Sequence, residues 1–228
     1  MLPVYDFISA FDFLKIVLIF IPTFELCRVL FCELKTADVM QTEIIRINDI
    51  SDLKIGMFEL GNGDFSLKMP ENRQFRSVVA SLLPEEHRAV GLCPTQQVLP
   101  WGYATLALVT QGITSGSYAS TILWEEAVKQ GINLPALSFC RSYERFGVAK
   151  NEAFLPTQRE LNGVGLHYDK WDKILRACGI RILEATLVSS TINHDHHVWI
   201  QGLGNMYSHY DYQNRTFGVC PAVDIVFA

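Results

Sequence analysis

Apolar and polar positions alternate with period two along several short stretches of the chain, each bounded by turn-forming residues. Gln41 to Asp49 alternates as a strand does. Leu53 to Leu60 and the run resuming at Phe65 flank Gly61-Asn62-Gly63-Asp64. An Asn-Gly pair between apolar runs predicts a hairpin, because type I′ turns need positive φ at both central residues. Ser77–Leu83 and Arg88–Leu92 are divided by Pro84-Glu85-Glu86, a second strand–turn–strand unit. Tyr103 to Val109 is expected to be a further strand or a short helix. The Gly/Ser-rich stretch Gly112–Ser120 is expected as a loop. Beyond it the period changes: Ile122, Leu123, Ala127 and Val128 recur at helical spacing, with Gly131 placed to stop the helix. Thr157 and Glu160 have the spacing of a capping box, with Pro156 before them. Another helix is predicted from about Tyr168 to Cys178, ending at Gly179. Ile180–Ser190, Val198–Leu203 and Phe217–Phe227 are strand-like again. The sum is an α+β domain of short antiparallel strands with two central helices.

The strand-like C-terminal segments are joined by unusual material. Asn193 to Arg215 holds four of the chain's six histidines, and no Lys or Glu occurs after Glu184. An ordinary exposed face draws heavily on long charged side chains. This one offers Asn193, His194, Asp195, His196, His197, Asn205, Tyr207, Ser208, His209, Tyr210, Asp211, Tyr212 and Asn214. Such residues give broad contact area and adaptable hydrogen bonding at low entropic cost, as paratopes do. These thirteen are the candidate ligand-binding residues. Tyr207, Tyr210 and Tyr212 show no apolar periodicity and are expected to be exposed. Trp199, on an alternating stretch, is expected in the core, as are Trp101 and Trp171. Asp169 and Asp172 are expected as solvated helix-face charges.

Composition narrows the function classes. An apolar content of 49% with 19% charged residues describes a globular chain with a sizeable core. A net charge of −5, a pI near 5.7 and no Lys/Arg cluster leave no electrostatic footprint for nucleic acid or for an acidic membrane surface. Six widely spread cysteines contain no CxxC pair, and buried free thiols are the expectation. Residues 7–34 are strongly apolar but interrupted by Asp12, Lys15, Glu25, Arg28 and Glu33. The apolar run from Ile16 meets Pro22, well short of the roughly 20 residues a spanning helix needs. Membrane insertion is therefore not expected. Residues 1–39 are expected to be an extra helix or a non-native leader, with the domain pattern beginning at Met40 and running to residue 228.

Two chemistries compete with contact as readings of these residues. On a strand His194 and His196 would share a face and chelate a metal. Spacing supplies no third ligand, so neither metal nor cofactor is assigned. No G-x-S-x-G elbow exists, and Gly-Ile-Thr-Ser-Gly at 112–116 has the wrong order for a hydrolase.

The order of motifs carries a resemblance. Ile55-Gly56 and the Gly-Asn-Gly-Asp hairpin lead to Arg76-Ser77-Val78-Val79, Ala89-Val90-Gly91-Leu92 and Trp124-Glu125-Glu126-Ala127. Then follow Phe154-Leu155-Pro156-Thr157-Gln158-Arg159-Glu160-Leu161, Val188-Ser189-Ser190-Thr191, Val198-Trp199 and Gly218-Val219-Cys220-Pro221-Ala222-Val223. Over about residues 50–228 this resembles the C-type-lectin-fold domains of bacterial and phage surface proteins. Val188 stands where those domains carry Trp, and Cys220 where they carry Arg. Within that fold the sequence is similar to variable proteins diversified by diversity-generating retroelements, which mutate adenines mainly in AAY codons. Such codons reach Asn, Asp, His, Tyr and Ser but never Lys or Glu, the pattern of Asn193–Arg215. The resemblance implies a non-enzymatic module with a hypervariable C-terminal surface, borne on a virion tail or a cell surface. Its implied partner is a protein or glycan on another cell. The alternatives are a metal-dependent enzyme or oxidoreductase of the formylglycine-generating-enzyme-like fold, or a structural domain of a larger surface assembly. The formylglycine-generating chemistry needs a close cysteine pair, and Cys178 and Cys220 are far apart. The E-P-N, Q-P-D and W-N-D motifs of calcium-dependent sugar binding do not occur.

Overall fold

A computed structural model describes residues 44–61, 63–72, 74–102, 110–177, 179, 185–194, 196–204, 207–225 and 227. The boundary expected at Met40, the leader before it and the element expected at 103–109 lie outside these residues. Six strands come first: β1 (Ile44–Arg46), β2 (Phe58–Gly61), β3 (Asp64–Ser66), β4 (Ser77–Leu83), β5 (Arg88–Leu92) and β6 (Gln97–Pro100). Four helices follow: α1 (Gly116–Gln130), α2 (Pro135–Ser142), α3 (Gln158–Leu166) and α4 (Tyr168–Ala177). The chain closes with β7 (Thr186–His194), β8 (His197–Gly202), β9 (Ser208–Tyr212), β10 (Thr216–Val219) and β11 (Ala222–Asp224). Among the described residues the fold is α+β with four helices: α1, α3 and α4 match predicted helical segments, one more than the two central helices expected, and α2, opened by Pro135 at its first turn, was not anticipated.

The strands form two sheets. One has the order β1-β3-β2-β4-β5-β11 and is antiparallel throughout. The other has the order β6-β10-β7-β8-β9, with β10 and β7 parallel. The expected single strand Phe217–Phe227 is two strands in different sheets, β10 and β11. Between them Pro221 cannot donate to a ladder, and the chain crosses from one sheet to the other there. Gly218 has a packing reason: a Cβ there would lie 2.9 Å from the Leu187 side chain and 3.1 Å from the Thr186 carbonyl.

The central strands of the first sheet are buried on both faces, which explains why β4 and β5 read as continuous apolar runs. Val78, Ala80, Val90 and Leu92 pack with Leu161 and Val164 of α3 and Trp171 and Leu175 of α4. Val79 and Ala89 pack on the other side with Met57, Phe65 and Ile225. The second sheet buries Val188, Ile192, Val198, Ile200, Phe217 and Val219 together with Leu123 of α1, Leu137 and Cys140 of α2, and Leu134 just before α2. Trp101 and Trp171 are buried, as expected. Among the described residues no helix is long and apolar enough to cross a membrane.

Local signals explain the helix ends. α1 starts inside the stretch expected as a loop, because the Ser115 hydroxyl accepts from the Tyr118 amide and buried Glu160 accepts from the Gly116 amide at 3.0 Å. It stops at Gly131, whose φ of 66° closes the helix. α3 carries the expected capping box: Thr157 caps Glu160, and the Glu160 carboxylate accepts from the Thr157 amide at 2.7 Å.

Candidate binding surface

The described candidate residues lie on or directly beside one three-strand ribbon at an edge of the second sheet. β7 and β8 pair antiparallel and end with His194 opposite His197. The turn between them holds His196 at φ 64°. Asp195 and Asn205 lie outside the described residues. His194 and His196 therefore do not share a strand face, contrary to the geometry weighed for metal chelation. The segment around Tyr210, expected as a connecting loop, is strand β9, with His197 opposite Tyr212, Trp199 opposite Tyr210 and Gln201 opposite Ser208.

Side-chain alternation sorts this ribbon into two faces. Val198 and Ile200 point into the core. On the outer face His197, Trp199 and Gln201 of β8 lie beside Tyr212, Tyr210 and Ser208 of β9. One end of that face is covered by α3: Gln201 is buried and packs on Gly165, and Gln158 donates to the Ser208 hydroxyl at 3.0 Å. The Gln158 amide also donates to Thr191 at 3.1 Å, tying the start of α3 to β7. The other end is open and aromatic. The Tyr210 ring stands edge-on to His194 (5.8 Å), His197 (5.6 Å) and Trp199 (6.0 Å), while Tyr212 lies 4.4 Å from His197. Edge-to-face packing of this kind fixes ring orientation and adds roughly 0.5–1.5 kcal/mol per aromatic pair.

Tyr207, Tyr210 and Tyr212 are 56%, 39% and 51% exposed, which places all three at the surface. His194, His196, His209 and Asn214 are exposed, whereas Asn193, His197, Ser208 and Asp211 are half-buried. Tyr207 and His209 lie tilted at 5.5 Å, and the His209 ring also lies 4.6 Å from that of Tyr210, so the aromatic cluster continues along β9. The Asp211 carboxylate accepts from the Tyr212 amide at 2.7 Å and from Arg215 at 3.0 Å. Trp199 is a correction: it is half-buried on the outer face, not in the core. Its β8 neighbours Val198 and Ile200 already occupy the inward positions, and that alternation was the available signal. Gln158 and Arg215 also belong to the surface's support, and only the fold reveals them. Asp169 is exposed, whereas Asp172 is half-buried and paired with Arg176 at 2.7 Å.

Among the described residues no group of three His, Cys, Asp or Glu side chains converges as a metal site would require. Ser115, in the stretch weighed as a hydrolase loop, is the cap of α1. Cys93, Cys140 and Cys220 are free and buried, while Cys27, Cys32 and Cys178 lie outside the described residues. Burial pushes all three thiols up, that of Cys220 to about 12. A cavity of about 30 Å³ lined by Leu92, Trp171, Leu187 and Cys220 is large enough only for one or two waters.

No family model matches the sequence, and no curated protein matches it. The fold is similar to that of a fimbrial protein from Bacteroides ovatus ATCC 8483. The two share 10% identity at a TM-score of 0.57, over 75% of this chain and 48% of the fimbrial protein. The chain thus spans about half the length of that protein, and at this identity the likeness bears on architecture alone.

Proposed function

We propose that this protein is a non-enzymatic ligand-binding module of a bacterial or phage surface, with a C-type-lectin-like scaffold presenting the β7–β8–β9 ribbon. The observation that carries this reading is the open aromatic end of the ribbon, where His194, His197, Trp199, Tyr210 and Tyr212 form one surface. Tyrosines bury large area with a polar tip, and neighbouring His, Asn, Ser and Asp supply directional hydrogen bonds. The likeness to a fimbrial protein supports placement at a cell surface, and the order of the Val-Ser-Ser-Thr and Gly-Val-Cys-Pro-Ala motifs supports the lectin-like scaffold. The partner is then a protein or glycan on another cell.

The test is binding of the labelled full chain to cells of its natural community, read by flow cytometry. Changing Tyr207, Tyr210 and Tyr212 together to Ala should lower binding by about a hundredfold or more, as loss of hot-spot tyrosines does. The variant should remain folded, with a melting temperature lowered by several degrees, because the ring contacts of Tyr210 and Tyr212 are lost as well. Unchanged binding would refute the reading.

The composition of Asn193–Arg215 further supports adenine-directed diversification. Sequencing this gene from many cells of one population should find substitutions concentrated in AAY codons between about Ser190 and Arg215. Substitutions spread evenly along the gene would rule diversification out.

A further inference from the structure

β9 leaves its own backbone open, and this bears on what kind of partner the ribbon takes. In an antiparallel pair, opposite residues alternate between exchanging main-chain hydrogen bonds and exchanging none. Two bonds set the phase here: the Gly202 amide donates to the Tyr207 carbonyl at 2.6 Å, and the Gln213 amide donates to the His196 carbonyl at 2.9 Å. Both fit one alternation, in which Tyr207, His209, Asp211 and Gln213 turn their main chain toward β8. Ser208, Tyr210 and Tyr212 therefore turn theirs away from it, toward the edge of the sheet. Tyr212 closes its own groups locally, since its amide donates to Asp211 and its carbonyl accepts from the Arg215 amide at 3.1 Å. Among the described residues no strand pairs with the amides and carbonyls of Ser208 and Tyr210.

Natural sheets usually blunt such an edge with short strands, prolines, lysines or bulges. The other edges here follow that rule: β1 and β11 have three residues each, and β6 ends in Pro100. β9 has five residues in unbroken register and contains neither Pro nor Lys. His209, Tyr210 and Tyr212 of this strand are exposed, whereas Ser208 and Asp211 are half-buried.

We propose that β9 recognises its partner by strand addition, the partner being an extended polypeptide segment with apolar or aromatic side chains at alternate positions. This deepens the ligand-binding reading and rests on it. Ser208 and Tyr210 present two amide–carbonyl pairs about 6.8 Å apart, the spacing that another strand repeats. A glycan repeats no such donor–acceptor pattern. Alternate side chains of the added strand lie beside Tyr210 and Tyr212, which read its identity. Under diversification the side chains change while the backbone edge persists, so affinity has a constant source and specificity a variable one.

The test screens the full chain against two probes, a displayed library of nine-residue linear peptides and a glycan array. Linear peptides should be selected, and one of them is then N-methylated at each amide in turn. Methylation at alternate amides should weaken binding by about tenfold each, the loss of roughly one hydrogen bond, with little effect at the amides between. On the protein, Tyr210→Pro should bind such peptides about tenfold more weakly than Tyr210→Ala. The proline removes an amide that faces away from β8, and edge strands tolerate proline there. If Tyr210→Pro does not fold, the methylation series decides alone. A flat methylation series, selection of glycans without peptides, or selection of neither would overturn strand addition. If the tyrosine triple variant loses cell binding while methylation has no effect, the ligand-binding reading stands and strand addition fails.

Discussion

Cys220 shows how a residue expected from general burial rules acquires a specific role. Its thiol donates to the carbonyl of Thr95 at 3.3 Å, and burial lifts its pKa to about 12. An unfolded cysteine titrates near 8.5. The folded state thus holds this proton more tightly, and the contribution is fully present below pH 8.5. It is lost progressively as pH rises from about 8.5 toward 12. Two outcomes are expected: unfolding free energy from urea titration falls across that alkaline interval, and iodoacetamide near pH 8 spares Cys220 in the folded protein, because only the thiolate attacks. Peptide mapping that finds Cys220 alkylated as fast in the native state as in urea would contradict this. The sequence made the burial of Cys220 legible but gave no hint of its partner, because Thr95 and Cys220 meet only when two sheets are joined. Glu160 follows the same logic. Its spacing from Thr157 announced the capping box, but not that it would be buried and bonded to Arg88 at 2.5 Å.

Elements governed by local chemistry were legible, and those governed by partners were not. The β2–β3 hairpin, the β4–β5 unit, the α3 cap and the glycine stop of α1 each depend on a few neighbouring residues. α2 escaped notice because eight residues beginning with Pro and containing Ser, Phe and Cys carry a weak helical signal. It forms because Ala136, Leu137 and Cys140 complete the core beneath the second sheet. β9 escaped for the opposite reason. Ser-His-Tyr-Asp-Tyr has no apolar alternation, since neither face of this edge strand enters the core, and its extended form comes from pairing with β8. Reading β9 as a loop hid its edge as well. Composition alone marks the candidate residues, and the ribbon assembles the described ones because β7, β8 and β9 are consecutive antiparallel neighbours.

At the scale of the molecule, charge pairs that no local pattern reveals connect the strands of the first sheet to α3. Arg76, directly before β4, pairs with Glu59 of β2 and with Glu152 in the connection between α2 and α3. It also donates to the Asp224 carbonyl of β11 at 3.4 Å. Arg88 of β5 takes the Asp224 carboxylate at 2.9 Å and Glu160 of α3 at 2.5 Å, so Asp224 joins the two clusters. Burial pushes the Glu59 carboxyl above the usual carboxylate range, with Arg76 and Ser77 pulling the other way. A carboxylate so enclosed depends on its partner. Arg76→Ala is expected to cost about 3–5 kcal/mol of unfolding free energy, because it strands a buried charge and does not merely remove an attraction. Replacing both Arg76 and Glu59 by Met should recover most of that loss, since similar volumes remain and no buried charge is left. Urea titration of the two variants separates these cases. A loss below about 1 kcal/mol in Arg76→Ala would mean that solvent reaches Glu59 and that the pair is no stronger than a surface ion pair. A double variant as unstable as the single one would instead assign the cost to lost packing around Arg76.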